Sequence, residues 1–270
     1  MYKISNIKHL VFLPVFAMLA ACTKEIDIDL NSSNPQTVIE GNISDEPGPY
    51  IVKISKTVNY SESNNYPPIS GAVVIISDNT GVVDTLTETF AGTYRTHSIV
   101  GTQGNTYTLK VIAEGKQYNA VSTMPLKVNL DSIQFNSDTQ PGESETTFAI
   151  VPLYLDPIEF GNNYRFFFSS NGIFDKTYQV SNDNIGNGVI NQQPFTNDDV
   201  KFYEGDTVTV TMHCIDINSY NYYFTLSQIA GGGPGGGATP SNPPNNITGN
   251  KALGNFSAYT TQTITQVAHD

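Results

Sequence analysis

The chain lacks tryptophan altogether and has two cysteines, four histidines and 13 basic side chains against 25 acidic ones. Each shortage removes a class of function. Without basic clusters nothing can displace the counterions of a phosphate backbone, so nucleic acid is not expected as a partner. Beyond the N-terminal segment only His97, His213 and His269 remain, and neither H-E-x-x-H nor a clustered Cys/His spacing occurs, so no zinc site is expected. There is no G-x-S-x-G elbow of a serine hydrolase. No apolar run approaches 18 residues, so no transmembrane helix is expected. The absence of Trp disfavours the commonest glycan platform, although Tyr can serve in its place.

What is present begins with Leu19-Ala20-Ala21-Cys22: a branched apolar residue, two small residues and a cysteine, the pattern of a bacterial lipobox. Before it stand Lys3 and Lys8 as a positive region and Leu10 to Leu19 as an apolar segment interrupted by Pro14, too short to span a bilayer. Residues 1–21 are therefore expected to be a lipoprotein signal peptide. The mature chain, about 249 residues, then begins at Cys22, acylated (a palmitate-type anchor) on its thioether and its new amino group. Loss of Lys3 and Lys8 moves the formal net charge from −12 to about −14. Such a chain is repelled by anionic membrane surfaces, so the acyl chains must do the anchoring, and two or more hold stably. Lipidation of Cys22 leaves Cys214 alone, without an intramolecular disulfide. Residues 22–35 read as a lipidated tether with a reach of roughly 40 Å.

Fifteen Tyr, 14 Phe and many Thr, Val and Ile favour strands. In the segment 36–125, Tyr50, Val52 and Ile54 alternate with Ile51, Lys53 and Ser55, the pattern of a half-buried strand. Tyr107, Leu109, Val111 and Ala113 do the same, and Glu114-Gly115 then turns the chain. A two-residue turn there sets Tyr118 opposite Val111 and Ala120 opposite Leu109. Ala72 to Ile76 reads as a buried strand, Asp78-Asn79-Thr80-Gly81 as a turn and Val82 to Thr87 as the return. Met124-Pro125 marks a boundary. The segment 126–270 continues with strands near 128–135, 145–155 and 163–169. From Thr207 to Ile215, Val208, Val210, Met212 and Cys214 share one face and His213 points to the other. One helix is expected over about 217–230, with Asp216 as N-cap and Tyr222, Tyr223, Leu226, Ile229 and Ala230 on one stripe. A Gly/Pro-rich loop follows over 231–246, then a closing strand near Phe256 to Val267. The fold class is all-β: a sandwich followed by a second β-rich, sandwich-like domain with one short helix.

Local motifs carry little chemistry. Gly231, Gly233 and Gly236 spell G-x-G-x-x-G, but after a helix and before a loop, the reverse of a dinucleotide site. His213 and Cys214 are neighbours on a strand and point to opposite faces, so they cannot form a thiol–imidazole dyad; Cys214 reads as a buried apolar thiol. Asp27, Asp29 and Asn31 match the opening of a calcium loop, but Ser32 replaces the required glycine and no bidentate Glu follows. Asn182-Asp183-Asn184 and Asn197-Asp198-Asp199 read as solvated turns. Neither a cofactor nor a metal is expected, nor catalysis. Two aromatic clusters, Tyr164-Arg165-Phe166-Phe167-Phe168 and Tyr220 to Phe224, are mostly core by expectation, with stacking faces left for a sugar or peptide. Asp84-Thr85-Leu86, Asp131-Ser132-Ile133 and Asp206-Thr207-Val208 resemble the general O-glycosylation acceptor motif of Bacteroidota, which makes Thr85, Ser132 and Thr207 candidate acceptors.

The order and spacing of several segments resemble a Bacteroidota lipoprotein family, domain of unknown function 4249 (DUF4249). The segments are Cys22 to Leu30, Val38-Ile39-Glu40-Gly41-Asn42-Ile43, Gly48-Pro49-Tyr50 with Lys53 to Thr57, Ser70 to Ile75, Gly92-Thr93-Tyr94, Tyr107-Thr108-Leu109, Met124-Pro125, Asn245-Asn246-Ile247 and Gly254 to Tyr259. The resemblance implies an immunoglobulin-like or carboxypeptidase-regulatory-like sandwich, then a second β-rich domain. It also implies an outer-membrane location and association with TonB-dependent transporters, and it supplies no catalytic residues. Lys24, Glu25, Asp27 and Asp29, just after the lipidated cysteine, resemble the signal that exports such lipoproteins to the cell surface. The expected function is therefore a surface-exposed, non-catalytic accessory of a TonB-dependent transporter that helps capture a nutrient. The alternative is a free-standing, adhesin-like binder of glycans or peptides.

Overall fold

In the computed structural model, which describes residues 34–59, 62–138, 145–184, 186–196, 199–230 and 242–269, period-two alternation of apolar and polar side chains yields three sheets. The first half of the chain supplies β1 (Thr37–Ser44), β2 (Ile51–Lys56), β3 (Val73–Asp78), β4 (Val83–Thr85), β5 (Thr87–Phe90), β6 (Thr93–Arg95), β7 (Thr106–Ala113) and β8 (Lys116–Thr123). The second half supplies β9 (Ser132–Ser137), β10 (Phe148–Leu153), β11 (Asn163–Ser170), β12 (Ile173–Phe174), β13 (Gln179–Asn182) and β14 (Thr207–Ile215). The helix α1 (Ile217–Ala230) comes next, then β15 (Ile247–Gly249) and β16 (Ala252–Val267). The large sheet has the order β12-β11-β14-β16-β1-β2-β6-β5, with β13 also paired to β11. A second sheet runs β15-β8-β7-β3-β4, and β9 pairs with β10.

Two hydrophobic cores lie against one face of the large sheet. Core one packs Ile39, Val52, Ile54, Tyr94 and Phe256 from that sheet against Val74, Ile76, Leu109, Val111 and Tyr118 of the second. Core two packs Tyr164, Phe166, Phe168, Val208, Val210 and Met212 against Ile133, Phe135, Phe148 and Ile150 of the β9–β10 pair, and against Phe195 and Phe202. Core one takes residues up to Met124 and core two begins at Val128, yet Ala252, Phe256 and Ala258 return to core one. The closing strand β16 is thus shared. It pairs in parallel with β1, Thr37 opposite Ala252, and antiparallel with β14, Thr207 opposite Val267. Gly254 permits the parallel pairing: its φ is +107° and a Cβ there would run into the Ile39 carbonyl oxygen.

The β7–β8 hairpin follows the expected register, with Val111 opposite Tyr118 and Leu109 opposite Ala120. Its turn holds Glu114 at φ 51° and Gly115 at φ 73°, the left-handed pair that matches strand twist. Other elements differ from expectation. β3 is half-buried rather than buried, because Val74 and Ile76 face core one while Val73 is 47% exposed. β9 starts at Ser132, not near 128. Val128 and Leu130 are buried, but their N–H groups donate to Cys214 Sγ and Gln262 Oε1, so side chains satisfy what a ladder would have. The closing strand begins earlier than expected, at Ala252.

Candidate functional site

Alternation sends every second side chain of the large sheet away from the cores, and at its centre these outward residues are not the usual solvated polar set. On β11, Tyr164, Phe166 and Phe168 enter core two, so Arg165 and Phe167 face outward. On β14, Cys214 is in the core and His213 outside; on β16, Phe256 and Ala258 are in and Asn255, Ser257 and Tyr259 out. Glu40 and Asn42 of β1 and Lys53 of β2 extend the same face.

The helix α1 roofs this face. Asp216 ends β14 and caps the helix as expected, its Oδ1 accepting the Ser219 N–H at 2.8 Å. Its other oxygen accepts from Ser122 Oγ at 2.6 Å, and Ser219, fully buried, donates to Ser257 Oγ at 3.0 Å, so the first turn is pinned to both sheets. The expected apolar stripe does not enter a core. Ser219 is the helix's buried residue, Ile229 is 41% exposed, and Tyr222, Tyr223 and Leu226 overhang the sheet. A cleft of about 460 Å³ lies between.

Arg165 organises its chemistry. The guanidinium carbon sits 3.7 Å from the centre of the Tyr223 ring, 4.3 Å from Phe167 and 5.7 Å from Tyr178. Its Nε is buried without a hydrogen-bond partner, and the ion pairs among the described residues (Lys56–Glu114, His97–Asp84, Lys127–Asp45) do not include it. Directly opposite in register is His213, whose ring stacks on Tyr259 at 4.0 Å and 10° and meets Phe167 at 4.7 Å. Burial, helped by the Arg165 charge, pushes His213 down to about 3, so it stands neutral beside the arginine. Burial likewise pushes the Tyr222 phenol up to about 12. Asn255 is 5% exposed, and its Oδ1 has no partner. The arrangement offers stacking faces, one stacked cation and unspent hydrogen-bonding groups. Its imidazole is a poor base at neutral pH.

A second hollow of about 940 Å³ lies between residues 180–193 and the Tyr220 and Phe224 side of α1. Of its acids, Asp183 accepts the Gly161 and Asn162 N–H groups, and Asp156 accepts the Tyr164 hydroxyl on one oxygen while the other is buried without a partner.

Of the two aromatic clusters singled out in the sequence, the first divides between core two (Tyr164, Phe166, Phe168) and the cleft (Arg165, Phe167), and the second between the cleft (Tyr222, Tyr223) and the second hollow (Tyr220, Phe224). The remaining candidates do not converge on the cleft. Cys22, Lys24, Glu25, Asp27, Asp29, Asn31, Asn197, Asp198 and the glycine run lie outside the described residues. Thr85 and Thr207 are exposed and Ser132 is half-buried. Two of the aspartates before them are structural. Burial works to raise Asp84, but the Ser98 and Ile99 N–H groups, the His97 ring Nδ1 and the His97 backbone N–H outweigh it and hold the carboxyl at about 2. Asp206 is likewise held low, against burial, by the Tyr203 N–H, Ser170 and Asn171. Asp183 of the Asn182–Asn184 turn is 5% exposed, not solvated. His269 rests edge-on against Phe135, and among the described residues no three metal-ligating side chains cluster. Cys214 is free and buried, and burial raises its thiol. Asn255, Ser257 and Glu40 also line the cleft, and no local motif marks them as site residues. The signal was available in the polar positions that alternate with Phe256 and Ala258.

Fold and cleft together define an all-β, sandwich-like protein with a ligand-sized hollow on the outer face of its main sheet. The chain belongs to the family described as Domain of unknown function (DUF4249), whose model matches residues 23–265. No curated protein matches it. Among solved structures, a two-domain fibronectin type III segment of chicken tenascin is 13% identical, with 67% of this chain and 91% of that one covered at a TM-score of 0.21. The adhesin InvE of Yersinia pseudotuberculosis is 16% identical, with 65% of this chain and 54% of that one covered at a TM-score of 0.22.

Proposed function

We propose that the chain is a lipid-anchored, non-catalytic binding protein of the outer membrane, facing the cell exterior, that captures a nutrient in the cleft under α1 for a TonB-dependent transporter. The observation that carries this reading is the Arg165 guanidinium, stacked on Tyr223 and Phe167 with its Nε unpaired, in a cleft of about 460 Å³. That volume falls within the range of ligand pockets, and the rings lining it are an apolar surface with polar groups placed among them. The lipobox at Cys22, the short tether and the transporter association implied by the family resemblance support the membrane and transporter parts. Lys24, Glu25, Asp27 and Asp29 support export to the surface.

A glycan and peptide array probed with the full-length protein in detergent tests the binding. The expected result is retention of one ligand class by the wild type and its loss in Tyr223→Ala and Phe167→Ala. Binding unaffected by both substitutions, or no binding at all, would overturn it.

A further inference from the structure

We infer that the cleft takes an acidic saccharide, with its carboxylate on Arg165 and its ring against the tyrosines; this rests on the binding reading proposed above. A guanidinium that stacks on rings spends its faces, while its N–H groups point outward around its edge. Arg165 is stacked on Tyr223 and Phe167 in this way, its Nε has no acceptor, and no carboxylate among the described residues pairs with it. A carboxylate brought by a ligand matches that edge in two parallel hydrogen bonds. The formal charge favours a monoanion. Arg165, Lys53 and Glu40 line the cleft and sum to one positive charge, which a carboxylate neutralises and a phosphate dianion exceeds.

The floor favours a sugar over a peptide. β14 is paired on both sides, to β11 and β16; β16 to β14 and β1; β1 to β16 and β2. A peptide backbone therefore finds no free strand edge to extend, and recognition falls to side chains alone. Those side chains suit a ring rimmed by hydroxyls. Tyr222, Tyr223 and Tyr259 each combine an apolar face with a phenol that donates or accepts, and Asn255, nine-tenths buried, lines the same cleft with its Oδ1 unpaired.

The test is calorimetry on the full-length protein in detergent. The probes are the methyl glycosides of galacturonate and glucuronate, both monoanions, each beside its carboxyl-reduced neutral counterpart, with acetyl-Gly-Asp-Gly-amide as the peptide control of the same charge. The inference expects at least one uronate to bind about tenfold or more tighter than its reduced form, with affinity falling as salt rises. It expects that preference to vanish in Arg165→Gln and to shrink in Arg165→Lys, with unfolding curves confirming that both variants fold. If a variant does not fold, the comparison of acid with reduced sugar on the wild type decides alone. Equal affinity for acid and reduced sugar overturns the inference and leaves the binding reading standing. Binding of the peptide without either uronate also overturns it. So does binding of no probe, and the array then decides the binding reading separately.

Discussion

At the scale of single residues, the balance between burial and hydrogen bonding decides which groups are held out of their ordinary charge state. His213 stays neutral down to about pH 3 in the folded chain, because burial first and Arg165 second oppose its proton. In the unfolded chain it takes up that proton near its ordinary value of about 6.5. Between those limits the unfolded state binds more protons, so stability falls as pH falls. His213→Phe keeps a ring against Tyr259 and removes the titration. Its urea midpoint is expected to change less between pH 7 and pH 5 than the wild type's; parallel curves would contradict the account. Asp84 behaves as a stabilised carboxylate. Its contribution is present above about pH 4 and is lost as pH falls through about 2, the value at which the 97–99 N–H groups hold it. Asp84→Asn is expected to cost about 2 kcal/mol at pH 7 in urea unfolding, and little at pH 2. The same observation gives the Asp84-Thr85-Leu86 motif a structural reason to begin with aspartate.

At the scale of elements, the helix illustrates both what local sequence specifies and what it does not. Its existence, extent and cap were legible, because capping depends on residues three positions apart: Asp216 Oδ1 does accept the Ser219 N–H. Asp216→Ala is expected to lower stability by about 1–2 kcal/mol, since it removes both the cap and the Ser122 contact; an unchanged denaturation midpoint would show the cap to be idle. The destination of the helix was not legible. Tyr222 and Tyr223 read as a core stripe, yet they roof a cleft, because what lies beneath is assembled by registers such as Arg165 opposite His213 and Glu40 opposite Asn255. Partners 48 and 215 positions apart in the chain leave no periodic trace at either end. The β7–β8 hairpin is the opposite case. Its two-residue turn fixes the register by itself, and alternation on both strands then places Tyr118 and Ala120. β9 begins later than the sequence suggests, because Val128 and Leu130 are apolar and buried like strand residues without being part of a ladder. Only the distant Cys214 and Gln262 reveal that their N–H groups are satisfied otherwise.

At the scale of the whole molecule, β16 joins what composition and turn signals present as two consecutive domains. Its first half completes core one beside β1, its second half completes core two beside β14, and its outward side chains line the cleft between. The first sandwich therefore depends on the end of the chain. A fragment of residues 36–125 leaves β1 with an unpaired edge and removes Phe256 and Ala258 from core one, a loss of several kcal/mol. Such a fragment is expected to show no cooperative urea transition, whereas a sharp one would mean that the first sandwich stands without its closing strand. This dependence also places the cleft where both halves must fold before it exists.

The central claim, capture of a nutrient on behalf of a transporter, is tested most directly by crosslinking in intact cells. Pull-down through a C-terminal tag and mass spectrometry then identify the proteins recovered. The account predicts recovery of one TonB-dependent transporter from cells in which the protein is accessible to external protease. Recovery of the protein alone from such cells would contradict it.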